Sequence, residues 1–241
     1  MHRTSTPCPI ATASARFESM TDLRILLTGF EPFGGDSVNP SWLVAQHLAG
    51  VPLAGAQVSA VQLPCVFGLS AQVLVQAVAQ HAPDVVLALG LAQGREGISI
   101  ERVAINVDDA RIPDNAGQQP IDTPVVPGGP AAYFSTLPIK RLVQGLQQAG
   151  HPAHISQTAG TFACNHVFYA LQHHLHGQRA MSGFVHLPAL PEQAARAGRP
   201  TPPSMALADQ VAAVQCLLQL CVSHQADGSA GDVRVSGGAI S

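Results

Sequence analysis

The sequence has little charge and few aromatic residues. Charged side chains make up 11% of its 241 residues and aromatic ones 5%, and the formal net charge is −3. So sparse and balanced a charge gives no reason to expect nucleic acid or another polyanion as partner. No CxxC pair occurs among the five cysteines, Cys8, Cys65, Cys164, Cys216 and Cys221. An odd, dispersed set argues against a disulfide framework or a zinc knuckle and points to a reducing compartment, the cytoplasm. No stretch approaches the about 18 consecutive apolar residues of a membrane span, so a soluble protein without a membrane partner is expected. Residues 1–22 also lack the apolar core of a secretory signal and carry Arg3, Pro7, Pro9 and Arg16 instead. They are expected to form a loose extension, with Met20 as an alternative initiator just before the first strand.

What is present is a 46% apolar composition, enough for one large core, and an alternation of two periods. Residues 24–29, 57–63, 84–90, 98–108, 153–158 and 182–187 have the continuous or alternating apolar pattern of strands. Residues 69–81, 137–149, 164–175 and 204–223 have helical spacing. Asn39 followed by Pro40 signals a further helix start. Strands alternating with helices predict a single-domain α/β fold: an open, largely parallel twisted sheet with helices on both faces. The catalytic domain is expected over 23–224, with a disordered tail over 225–241, where Gly, Ser and Ala dominate.

The chemistry gathers at strand ends, where open α/β sheets form their sites. Cys164 falls at a strand-to-helix turn, in the first turn of a helix. There the helix dipole and free backbone N–H groups favour a thiolate and can hold an oxyanion. His186 closes the strand 182–187, and Glu101 follows the strand that ends at Gly90. A thiol, an imidazole and a carboxylate are the set that covalent acyl transfer requires. Spacing alone leaves alternatives open: a buried structural cysteine, a core histidine, a surface carboxylate. His166, His173, His174 and His176 compete with His186. No carboxylate or cysteine accompanies the last three, which makes a poor metal set.

Four ordered blocks resemble the pyroglutamyl-peptidase I (pyrrolidone-carboxylate peptidase) family of cysteine peptidases. They are Leu27 to Gly35 with Asn39-Pro40-Ser41-Trp42; Glu101 to Asn106 with Ala110 to Asn115; Ala159 to Phe162 with Cys164-Asn165-His166; and Gly183 to Pro188 with Leu190 to Gln193. The resemblance implies Cys164, His186 and Glu101 as catalytic residues and Arg111 beside the oxyanion. It implies Phe30, Phe33 and Phe162 as apolar pocket walls and Asn39 as a source of polar contacts. It further implies peptide substrates with N-terminal pyroglutamate, no cofactor or metal, and a homo-oligomer, a tetramer. One departure stands out. The family usually has Gln where this chain has Leu91, so a lactam contact at Leu91 must come from the backbone or from Gln93. Two other readings remain at this point: a non-catalytic homologue that binds N-terminally blocked peptides, and a phosphorylase-like protein suggested by Gly34-Gly35. The glycine pair lacks the spacing and the lysine of a phosphate loop.

Overall fold

A computed structural model of the chain describes residues 23–53, 55–197, 199–228 and 231–238; the expected extension over 1–22 lies outside them. The strands are β1 (Leu23–Phe30), β2 (Ala56–Leu63), β3 (Val85–Leu91), β4 (Ile98–Glu101), β5 (Val103–Ile105), β6 (Ala132–Phe134), β7 (Ala153–Ser156) and β8 (Met181–Leu187). The helices are α1 (Pro40–Leu48), α2 (Leu69–His81), α3 (Ile139–Gln148), α4 (Ala163–His174), α5 (Pro191–Arg196) and α6 (Leu207–Ala226). The main sheet has six strands in the order β2-β1-β3-β8-β4-β7. Every pairing in it is parallel except that of β8 with β4.

Side chains alternate across the sheet, and each face is covered. Ile25, Leu27, Val85, Leu87, Leu89, Val185 and Leu187 point to one side, where α1, α3 and α6 pack. Leu26, Val86, Ala88 and Phe184 point to the other, against α2 and α4. Burial on both faces explains why these strands are nearly continuous apolar runs. α1 starts as its sequence predicts: Pro40 takes the first helical position and Asn39 Oδ1 accepts the N–H of Ser41 at 3.1 Å.

Two expectations are corrected. Residues 98–108 are not one strand. Ile98 and Ile100 of β4 enter the core, whereas β5 leaves the main sheet and pairs antiparallel with β6. Asn165 of α4 draws β5 away by bonding both the N–H and the C=O of Ile105 (3.0 and 2.9 Å). The second concerns the end of the chain, expected to be disordered from residue 225. α6 continues to Ala226, and residues 231–238 return across α3 and β7. Asp232 accepts the N–H groups of Lys140 and Arg141 at 2.8 and 2.9 Å. It thereby caps α3, whose own N-cap residue, Pro138, gives no side-chain cap. Arg102 donates to Gly237 O at 3.1 Å. Among the described residues, no helix is long and apolar enough to cross a membrane.

Candidate active site

A row of four residues crosses the sheet at one level. Gly90 of β3 pairs with His186 of β8, His186 with Ser99 of β4, and Ser99 with His154 of β7. Their neighbours Leu89, Val185 and Ile100 face the α1/α6 side, so the row faces α2 and α4. Glu101, two residues beyond Ser99, shares that face. Its Oε1 lies 2.7 Å from His186 Nδ1. A carboxylate only accepts, so Nδ1 carries the proton and Nε2 is left as a base. Glu101 is fully buried, and its Oε2 has no partner among the described residues. Arg95 Nη2 stands 3.7 Å from Oε1 and adds positive charge beside the carboxylate.

Cys164 reaches the row from above. The missing side chain of Gly90 makes room for its sulfur: a Cβ built at Gly90 would lie 3.0 Å from Cys164 Sγ. The thiol and the imidazole therefore stand over paired residues of adjoining strands, without a direct hydrogen bond between them. Catalytic hydrogen bonds of this kind often tighten only when substrate is bound. The loop before α4 is fixed by its own polar groups. Ser156 Oγ donates to Thr158 O at 3.0 Å, Gly160 N–H to Thr158 Oγ1 at 3.0 Å, and Thr161 Oγ1 to Asp109 O at 2.7 Å. Phe162 precedes the helix and supplies no side-chain cap. The first-turn N–H groups around Cys164 are thus left open, a ready cradle for an oxyanion.

Burial opposes the thiolate expected from the helix dipole. Desolvation pushes the Cys164 pKa up, and the nearby Cys65 thiol and Glu101 carboxylate add to it. Removing a charge from water outweighs a dipole whose effect is typically about 0.3–1 kcal/mol. Burial therefore works against the charged sulfur at this position. Cys164 is still the most accessible of the described cysteines; Cys65, Cys216 and Cys221 are buried.

The remaining expected site residues fall into two groups. Phe33 and Phe162 pack with ring centroids 6.0 Å apart, and Phe30 closes the back against Phe184 at 6.5 Å. These rings form an apolar wall beside Cys164. Leu91 ends β3 in register with Leu187; its side chain points to the opposite face from Gly90. Asn39 is committed elsewhere. Its amide accepts from Ser41 and donates to Glu31 O at 3.1 Å, so it fixes the 31–39 loop. Glu31 is likewise a clamp: its Oε1 accepts from Cys65 N–H at 3.0 Å and from Asn115 Nδ2 at 2.8 Å. Arg111 is exposed and makes no hydrogen bond or ion pair among the described residues. The bond from Thr161 to Asp109 holds its loop near the start of α4.

Three contributors act through partners that only the fold brings near. Phe67 meets Phe162 edge-on at 5.3 Å from a loop far away in sequence. Asn165 ties α4 to β5, with a further bond to Val107 O at 3.0 Å. Arg95 reaches Glu101 only through the fold. His173, exposed near the end of α4, stacks on Tyr169 and lies 2.9 Å from the Tyr133 hydroxyl.

An α/β sheet that converges a thiol, an imidazole and a buried carboxylate at its strand ends is the frame of a thiol hydrolase. A model of the pyroglutamyl peptidase family matches residues 23–223. The chain is 52% identical over 216 residues to a pyrrolidone-carboxylate peptidase of Erwinia tasmaniensis, covering 90% of this chain and 98% of that one. It is 55% identical over 208 residues to that of Klebsiella pneumoniae, covering 86% and 96%. The crystal structure of pyroglutamyl peptidase I from Bacillus amyloliquefaciens superposes with a TM-score of 0.83 at 40% identity, over 90% of this chain and 100% of that one. The chain belongs to the pyroglutamyl peptidase family.

Proposed function

We propose that this protein is a pyroglutamyl peptidase, which removes N-terminal pyroglutamate from peptides by acyl transfer to Cys164. The observation that carries the reading is the His186–Glu101 pair at 2.7 Å, with the Cys164 sulfur over Gly90 in the adjoining strand. Glu101 orients the ring and stabilises the imidazolium that forms. His186 Nε2 takes the thiol proton as Sγ attacks the carbonyl of the pyroglutamyl residue. The tetrahedral oxyanion is held by the open N–H groups at the start of α4, with Arg111 as a flexible cation beside them. Loss of one such donor commonly costs about 100- to 1000-fold in kcat. The C–N bond breaks, and His186 returns the proton to the leaving amine. Water, deprotonated by the same imidazole, then hydrolyses the thioester and releases pyroglutamate.

The substrate follows from the pocket. Pyroglutamate is a lactam without an ammonium group, and it suits a wall of Phe30, Phe33 and Phe162. A free N-terminal ammonium would be buried against rings with no carboxylate to meet it, because Glu31 is engaged by Cys65 and Asn115. The strand-end backbone at Leu91 supplies the polar contact to the lactam. The enzyme is proposed to act in the cytoplasm as a homotetramer, by family resemblance; the exposed Ile121 and Phe134 offer apolar surface for assembly, and light scattering tests the subunit number. Hydrolysis of matched pyroglutamyl, prolyl and glutaminyl chromogenic amides tests the substrate. Turnover of the pyroglutamyl amide alone is expected; comparable rates on the other two would overturn the assignment.

A further inference from the structure

The catalytic proposal leaves one buried ionisable pair unused. His166 and Asp108 lie 2.8 Å apart (Nδ1 to Oδ2), with side-chain exposures of 8% and 6%. His166 sits on α4 two residues beyond Cys164, so it projects to a different side of the helix. Its other ring nitrogen, Nε2, accepts the backbone N–H of Gly68 at 3.0 Å. The two contacts agree on one tautomer. An N–H donor faces Nε2, so Nε2 is bare, and the proton on Nδ1 is donated to the carboxylate.

Gly68 is a point of attachment that only glycine suits. Its φ is +73°, in the left-handed region, and it immediately precedes α2. Phe67 beside it is held three further ways. Its N–H donates to Asp114 Oδ2 at 2.9 Å. Its ring meets Phe162 at 5.3 Å and 89°, and the His166 ring at 5.5 Å and 87°. Phe162 in turn packs on Phe33. A continuous path therefore runs from Asp108 through His166 to the Phe67–Gly68 turn and on to the apolar wall. The helix that carries the thiol also carries the residue that grips this turn.

We infer that His166, oriented by Asp108, is a positioning residue that fixes the Phe67 wall of the acyl pocket in register with Cys164. Phe67 is a fourth aromatic wall residue, beside Phe30, Phe33 and Phe162. The pair acts on how substrate seats and not on the proton transfers, since neither group reaches His186 or the sulfur. This inference rests on the proposed pyroglutamyl pocket for its kinetic consequence only; the grip on Gly68 is independent of the substrate.

The test uses His166→Phe, which keeps a flat ring against Phe67 and removes both hydrogen bonds, and His166→Gln, which restores an acceptor and a donor. Two readouts are needed: KM and kcat on a pyroglutamyl amide, and the hydrogen-exchange rate of the Gly68 amide. For His166→Phe, KM rises by about tenfold, kcat stays within about threefold, and Gly68 exchanges faster while the α4 core stays protected. His166→Gln recovers part of both. Should His166→Phe not fold, His166→Gln and Asp108→Asn report the same two quantities. Unchanged KM with unchanged Gly68 exchange overturns the inference. So does a fall in kcat with KM unchanged, which would put His166 in the chemistry. A wild-type protein inert towards pyroglutamyl amides would refute the substrate and leave Gly68 exchange to decide the grip.

Discussion

Replacing Gly90 with alanine tests the geometry of the site with a single methyl group. A Cβ there would lie 2.7 and 2.9 Å from Phe184 Cζ and Cε1 and 3.0 Å from Cys164 Sγ. Carbon contacts are comfortable at about 3.5–4.0 Å, so something must move by about 0.5–1 Å. Phe184 is fully buried and hemmed by Phe168 at 5.9 Å and His186 at 4.9 Å between ring centroids. Its retreat presses on Phe168 and on the imidazole. The sulfur is the freer neighbour, and it shifts out of line with His186. Overpacking of this kind costs about 1–3 kcal/mol of stability, and the melting temperature falls by about 2–4 °C for each kcal/mol. Activity suffers more, because a misplacement of about 1 Å can cost about 100-fold. Gly90→Ala should therefore stay folded at 25 °C and lose about two orders of magnitude in kcat/KM. Chromogenic assays, thermal melts and iodoacetamide alkylation of Cys164 measure the three effects. Activity within threefold of wild type, with an unchanged melt, would show that the sulfur does not lie over Gly90.

Other perturbations separate contributions. Leu91→Gln should change kcat/KM by less than about tenfold, since its side chain faces away from the thiol; a larger gain would mean that the side chain reaches the lactam. Asp232→Ala removes the cap of α3 and should cost about 1 kcal/mol, read as a lower melting temperature with kcat/KM retained; an identical melt would show that residues 231–238 do not secure α3. Stability should fall at both ends of the pH scale. Burial lowers the pKa values of His151 and His154 from 6.5, with Arg95 also acting on His154. The unfolded chain then binds protons that the fold refuses, and stability is lost as pH drops below about 6.5. Burial raises Cys65 and Cys221 to about 12 from 9.0, so the unfolded thiols ionise first and stability falls again between pH 9 and 12. Urea midpoints flat across both ranges would contradict those assignments.

Local rules made much of this molecule legible. Continuous apolar runs identified β1, β3 and β8 because both faces of each are buried, and the Asn39-Pro40 start of α1 is a cap that needs no distant partner. Cys164 was legible through its strand-to-helix turn, which orients a side chain by backbone geometry alone. The split of residues 98–108 into β4 and β5 was not, because it depends on Asn165 capturing Ile105 from another element. Nor was the return of residues 231–238: Asp232 is a cap only because α3 starts without one. Arg95, Phe67 and the His166–Asp108 pair were hidden for the same reason, since each works through partners brought near by the sheet. The sequence also suggested a thiolate, by weighing the helix dipole without the desolvation that burial of the sulfur adds.

The central claim is that Cys164 is acylated by pyroglutamate during turnover. Acid-quenching the enzyme in the first moments of reaction with a pyroglutamyl chromogenic ester, followed by peptide mass analysis, tests it directly. One pyroglutamyl acyl group is expected on the peptide containing Cys164, and none in Cys164→Ala or on Cys65, Cys216 or Cys221. Full turnover with no acyl group on that peptide, or with the group on another residue, would contradict it.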